Sequence, residues 1–274
     1  MLAAIILSLV SGTSTRAQGG PGDLLITPTR LVFEGRQRTA EITLVNTGSA
    51  AATYRIGFVN LRMNDQGGTA EIAAADAVPG EQFSEALIRF SPRQVTLEPK
   101  VVQTVRMQLR LPADLAPGEY RSHLLFRAIP AATPAAPAAQ PTGFSVQLTA
   151  IYGISIPIIV RHGETSAKVT LDGLTLSPAT AADPMQSLQF WMRRVGNQSV
   201  FGNLTVTFVP ATGAPQVVAF ANGVAVYSPN TARRAAMALR LPSGAIPQHG
   251  RLHLAYTEVE KDNATIAEAD LPVQ

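Results

Sequence analysis

Val101-Val102-Gln103-Thr104-Val105-Arg106-Met107-Gln108-Leu109-Arg110-Leu111 places apolar side chains at 101, 105, 107, 109 and 111, against polar ones at 104, 106, 108 and 110. Successive side chains of a strand point to opposite faces, so this period of two describes a strand with one buried and one wet face. Residues 39–45 repeat the pattern, and 54–61 and 120–128 read as strands with looser alternation. Turn chemistry separates these runs, at Asn46-Thr47-Gly48, Asp65-Gln66-Gly67-Gly68, Pro79-Gly80 and Ala116-Pro117-Gly118. No long stretch carries helical spacing with caps, so the expected class is all-β, and strands at this spacing imply a sandwich.

Working outward, the alternation stops among the polar residues Arg161-His162-Gly163-Glu164, which marks a boundary. Beyond it lie further strand-like runs at 169–176, 188–195, 204–209, 217–220, 236–241, 252–259 and 266–271, enough for a second sandwich. Ahead of the first sandwich, residues 2–10 are a nine-residue apolar run followed by small and polar residues, with Thr15 and Ala17 at the −3 and −1 positions of a small-x-small site. Nine residues are too few for a bilayer core that needs about 20 in a helix, but they suit a secretory signal. The expected organisation is therefore a signal peptide over 1–17, a first domain over 18–161 and a second over 162–274. No other apolar stretch predicts stable membrane insertion. Residues 131–142, Ala-Ala-Thr-Pro-Ala-Ala-Pro-Ala-Ala-Gln-Pro-Thr, form a low-complexity loop.

Composition removes several function classes. The chain has 274 residues, 46% of them apolar and 15% charged, with a net charge of +3 and scattered basic residues, so nucleic acid is not an expected partner. It has no cysteine, hence no disulfide, thiolate nucleophile or Cys-ligated zinc. Of the four histidines, His249 and His253 would share a strand face, but no third ligand accompanies them. Trp191 beside Arg193-Arg194 is read as a surface patch or core edge, and Glu258, Glu260 and Asp262 as an exposed strand end. No nucleophile elbow, phosphate loop or dinucleotide fingerprint occurs. The expectation is a non-enzyme with no metal and no cofactor.

One stretch stands apart: Phe144-Ser-Val-Gln-Leu-Thr-Ala-Ile-Tyr-Gly-Ile-Ser-Ile-Pro-Ile-Ile-Val160. Every even position from 144 to 160 is apolar, whereas only Ile151 and Ile159 are apolar among the odd ones. Extended, 17 residues reach about 56 Å at ~3.3 Å each, while a 100-residue domain is only about 34 Å across. Part of the greasy face therefore needs a partner from outside its own sandwich, or else the strand bends at Gly153 and Pro157. The residues exposed for a partner strand are Val146, Leu148, Ala150, Tyr152, Ile154 and Ile156.

Pro117-Gly118-Glu119-Tyr120 puts a tyrosine just after a corner and two residues before Ser122, matching the tyrosine corner of immunoglobulin-like sandwiches, with Ser122 where antibody domains carry their second cysteine. Together with Thr29-Arg30-Leu31-Val32-Phe33-Glu34-Gly35, Phe90-Ser91-Pro92-Arg93, Leu97-Glu98-Pro99, Ala128-Ile129-Pro130 and the alternating strand ending in Val160-Arg161, it resembles the PapD-like periplasmic pilus-assembly chaperones over residues 24–161. The resemblance implies two immunoglobulin-like sandwiches in a boomerang arrangement, a periplasmic location, pilin-like subunits and an outer-membrane usher as partners, and donor-strand complementation by the segment above. It also implies that Arg30 anchors a client carboxylate, for which a planar guanidinium is suited. The family's accompanying lysine falls at Pro157, so that half of the anchor is absent. The alternative is a structural or adhesive exported sandwich protein without pilin clients, whose long strand fixes domain orientation or caps itself in a homodimer.

Overall fold

Buried positions alternate with less buried ones along strands such as 102–109, 187–196 and 200–210 of the computed structural model, which describes residues 23–130, 151–178, 185–240, 249–259 and 263–273. The first ten strands are β1 (Leu24–Thr27), β2 (Leu31–Phe33), β3 (Thr39–Asn46), β4 (Ala52–Met63), β5 (Thr69–Ile72), β6 (Ile88–Ser91), β7 (Gln94–Leu97), β8 (Val102–Leu109), β9 (Gly118–Ile129) and β10 (Gly153–His162). They form a sheet of order β1-β3-β8-β6 and another of order β2-β10-β9-β4-β5, with β7 also on β4. Ile42, Leu44, Val105 and Met107 of the first sheet belong to one buried cluster with Tyr54, Ile56, Leu124, Phe126, Ile156 and Ile158 of the second. At ~1.5–3 kcal/mol for each large side chain removed from water, this core is the main source of the domain's stability.

Seven more strands follow: β11 (Ala167–Ser177), β12 (Ser187–Gly196), β13 (Val200–Pro210), β14 (Gln216–Val226), β15 (Ala232–Ala238), β16 (Gly250–Glu258) and β17 (Thr265–Val273). They build a β11-β12-β15 sheet and a β14-β13-β16-β17 sheet around Leu188, Phe190, Met192, Val206, Leu252, Leu254 and Tyr256. The only helical elements among the described residues are two 3-10 turns, Ala74–Asp76 and Glu85–Leu87, and no helix is long and apolar enough to cross a membrane. The protein is all-β, with two sandwiches.

The Tyr120 hydroxyl donates to the Ala116 carbonyl at 2.8 Å, completing the corner the sequence implies. Ser122, fully buried in the cysteine's place, donates to Asn60 Oδ1 (2.7 Å) and accepts from the backbone N–H groups of Ser84 (3.0 Å) and Glu85 (3.1 Å). A hydroxyl with one donor and two lone pairs thus ties the loop ahead of β6 to β4 and β9, as no apolar residue could.

Three expectations need correction. His249 lies at φ 71°, in the turn ahead of β16, where its carbonyl accepts from Ala211 N–H; His253 is inside β16, hydrogen-bonded to Asp270 at 2.9 Å, so the two do not share a strand face. Of the two readings for the Trp191 cluster, the surface patch fails for Arg194 and the core edge holds: it is buried, its guanidinium donating to the carbonyls of Asn230, Gly196 and Gln198 at 2.8–2.9 Å, while Arg193 stays exposed and pairs with Asp172 at 2.6 Å. The run expected at 217–220 is the eleven-residue β14, masked in sequence by its exposed residues and by two register shifts against β13.

Candidate functional site: an open strand edge beside the domain cleft

β10 pairs with β9 without a register break from Gly153 to His162, so no bulge interrupts it at Pro157. Its other edge is covered differently along its length. β2 pairs in parallel with Ile158, Ile159 and Val160 alone, so among the described residues no strand pairs with the outer edge of Gly153–Pro157. Unpaired N–H and C=O groups in such a row are a template for another chain. Ten residues at ~3.3 Å reach about 33 Å, close to the ~34 Å across a 100-residue domain; residues 144–150 of the alternating run lie outside the described residues.

The six residues expected to meet a partner divide accordingly. Val146, Leu148 and Ala150 lie outside the described residues, as do residues 1–17 and 131–142. Tyr152 is 55% exposed, and Ile151 beside it 60%. Ile154 is partly buried against the first core, and Ile156 is within it at 3% exposure. The side chain of Ile156 is therefore already used by its own sandwich, which leaves its backbone edge as the part open to a partner.

The opposite face of β9 and β10 forms the floor of a cleft under the second sandwich. Glu119, Arg121 and His123 alternate with the core residues Tyr120, Ser122 and Leu124, yet all three are buried. Ile159, one of the two apolar odd positions, forms a buried cluster with Met63 and, from the second domain, Ala225 and Tyr227. Arg161 pairs with Glu34 (2.9 Å) and with buried Glu119 (3.3 Å). Glu119 also accepts from the backbone N–H of Ser199 (3.0 Å) and from its hydroxyl, which in turn accepts from Ser228 N–H at 2.8 Å. The Arg121 guanidinium lies 4.3 Å from the centre of the Tyr227 ring, and His123 meets that ring edge-on at 6.3 Å. Burial, reinforced by the Arg121 charge, lowers the His123 pKa to about 3; burial likewise lowers that of Arg121 and raises that of Tyr227. In the sequence Glu34, Glu119 and Arg161 stand only within the quoted motifs, with no role assigned, and the burial of Arg121 and His123 has no local signal, because alternate polar positions of a strand ordinarily face solvent.

Arg30, just ahead of β2, lines a small cavity of about 280 Å³ between the domains with Arg161, Ser199, Phe201 and Glu258, and its guanidinium sits 4.8 Å from the centre of the Phe201 ring. Parallel pairing of Ile158 with Leu31 sets Pro157 level with Arg30, one step back along the same register. A larger cleft of about 1060 Å³ opens beside it, lined by Glu34, Arg38, Arg161, Glu164, Asn197 and Gln198. No group of three or more His, Asp or Glu residues able to hold a metal occurs among the described residues. What the arrangement can do is bind: a strand along the open edge, and an anionic or polar group in the cleft.

No family model matches the chain, and no curated protein matches it. Solved structures with a similar fold include the YadV chaperone (14% identical, 92% of this chain and 100% of that one, TM-score 0.44). The E. coli chaperone DraB is also 14% identical, with 90% and 97% of the two chains covered and a TM-score of 0.40. A chain in the complex of the Salmonella enterica SafA pilin with the SafB chaperone is 11% identical, with 91% and 96% covered and a TM-score of 0.42. These matches, to structures named as chaperones, extend over nine-tenths or more of the chain at 11–14% identity.

Proposed function

We propose that this chain is an exported, periplasmic chaperone that holds incompletely folded pilus or fimbrial subunits by lending them a strand, and passes them to an outer-membrane assembly platform. One observation carries the reading: the outer edge of Gly153–Pro157 has no partner strand among the described residues, while the residues before it, 144–152, extend the same apolar alternation. Strand addition to such an edge draws affinity from main-chain hydrogen bonds and specificity from alternate side chains. Val146, Leu148, Ala150 and Tyr152 are the donor side chains; Ile154 and Ile156 root the donor in its own core. Arg30 anchors the client's terminal carboxylate in the cleft. No reaction, metal or cofactor is required, since exchange of one strand partner for another supplies the energy.

The test is capture of a pilin-type sandwich domain lacking its last strand. Leu148→Glu abolishes capture and leaves the melting temperature unchanged; Arg30→Ala weakens capture without unfolding. Undiminished capture by Leu148→Glu rejects strand donation. A structural or adhesive protein that caps itself as a homodimer behaves differently: the same substitution then shifts the sedimentation coefficient and has no effect on a pilin domain.

A further inference from the structure

The direct apolar contact between the sandwiches is small, its buried members being Met63, Ile159, Ala225 and Tyr227. An interface of that size leaves relative domain motion as the default. A second attachment lies at the tip of the β4–β5 hairpin. The backbone N–H of Arg234, on edge strand β15 of the second sandwich, donates to the carbonyl of Asp65 in the hairpin turn at 2.6 Å. The Asn230 side-chain amide donates to the Met63 carbonyl at 2.8 Å and the Asn64 carbonyl at 3.4 Å.

The turn is built to hold that position. Asn64 Oδ1 accepts from Gln66 N–H (3.0 Å) and Gly68 N–H (2.8 Å), and Asn64 N–H donates to the Gly68 carbonyl (2.8 Å). Gly67 has φ 84°, a left-handed conformation that glycine adopts at no steric cost, and a Cβ there would overlap the guanidinium of Arg233. That guanidinium lies over the glycine and donates to the Ala225 carbonyl at 2.7 Å, next to the apolar cluster. A further polar attachment, Arg161 with Glu119 and Ser199, is on β10, two strands away from β4 in the sheet, or about 10 Å at ~4.8 Å per strand, with Arg121 of β9 between them donating to the Ser228 carbonyl at 3.4 Å. Two attachments that far apart resist rotation about either one.

We infer that the β4–β5 hairpin is a strap that locks the second sandwich onto the first and sets the opening of the cleft, with Asn230, Arg233 and the backbone of β15 as its receptor. The connection over 163–166 alone does not set the angle. The lock is independent of what the cleft binds.

Two variants of the full chain test it. Asn230→Ala removes the side-chain donor. Gly67→Asn adds bulk beneath Arg233 with a residue that tolerates positive φ better than most. Exchange of the Arg234 amide, whose acceptor lies in the other sandwich, is expected to speed up about tenfold or more in both, as for a locally opened segment. Amides of the central strands β8 and β13 keep their protection, which separates unlatching from unfolding. The chain has no cysteine, so labels at Arg106→Cys and Arg251→Cys report a single distance between the domains; its distribution broadens in both variants. Wild-type protection of Arg234 together with an unchanged distance distribution in both variants overturns the inference.

Discussion

His123 is 5% exposed, faces the Tyr227 ring, has the Arg121 guanidinium as a neighbour, and its Nδ1 has no hydrogen-bond partner. Such an imidazole resists protonation, and its pKa falls from the usual 6.5 to about 3. The unfolded chain takes up a proton below pH 6.5, while the folded chain does not until near pH 3. Stability is therefore flat above pH 6.5 and declines as the pH falls below it, by about 1.4 kcal/mol per pH unit for one group. Between pH 7.5 and 5.0 the loss from His123 alone is about 2 kcal/mol. That window avoids most carboxylates, whose protonation begins lower. The perturbation is His123→Gln, which keeps a polar side chain but cannot titrate. The assay is urea denaturation of wild type and variant at pH 7.5, 6.5, 5.5 and 5.0. The difference between their unfolding free energies should change by about 2 kcal/mol from pH 7.5 to 5.0, with the wild type losing the more. Parallel pH profiles for the two proteins would refute the claim that His123 is buried uncharged beneath the second domain.

Tyr120→Phe removes only the corner hydrogen bond to Ala116; it should cost about 1 kcal/mol and lower the melting temperature by about 2–4 °C. Ser122→Ala leaves Asn60 Oδ1 and the N–H groups of Ser84 and Glu85 without their partner. Its cost should be larger, about 2–4 kcal/mol, and a Ser122→Ala protein as stable in urea as the wild type would reject the role given to that hydroxyl.

Much of the strand framework is legible in the residues because alternation is local. The patterns at 39–45 and 101–111 appear as β3 and β8 within a residue or two, and Pro117-Gly118-Glu119-Tyr120 announces a corner that the Tyr120 hydrogen bond closes. Strands of three or four residues, such as β2, β5 and β7, are too short to display a period. β9 misleads for another reason: Glu119, Arg121 and His123 occupy alternate positions and read as a wet face, and only a second body placed on that face buries them. Ile159 was the hint, an apolar residue on the otherwise polar side of its strand, and it packs against Ala225 and Tyr227 of the other domain.

The amino-acid order alone determined the all-β class, the tyrosine corner and the apolar alternation of residues 144–160, since each depends on side chains within a few positions of one another. Tertiary structure decided which of those apolar groups the chain keeps for itself, Ile156, Ile158 and Val160, and which stretch of backbone edge it leaves open. It also decided that three polar side chains of β9, Glu119, Arg121 and His123, meet a second domain instead of water. Burial and edge pairing depend on what lies across the gap, and here the strands and side chains across it come from distant parts of the chain: Leu31 opposite Ile158, Ser199 against Glu119, and Asp65 against Arg234.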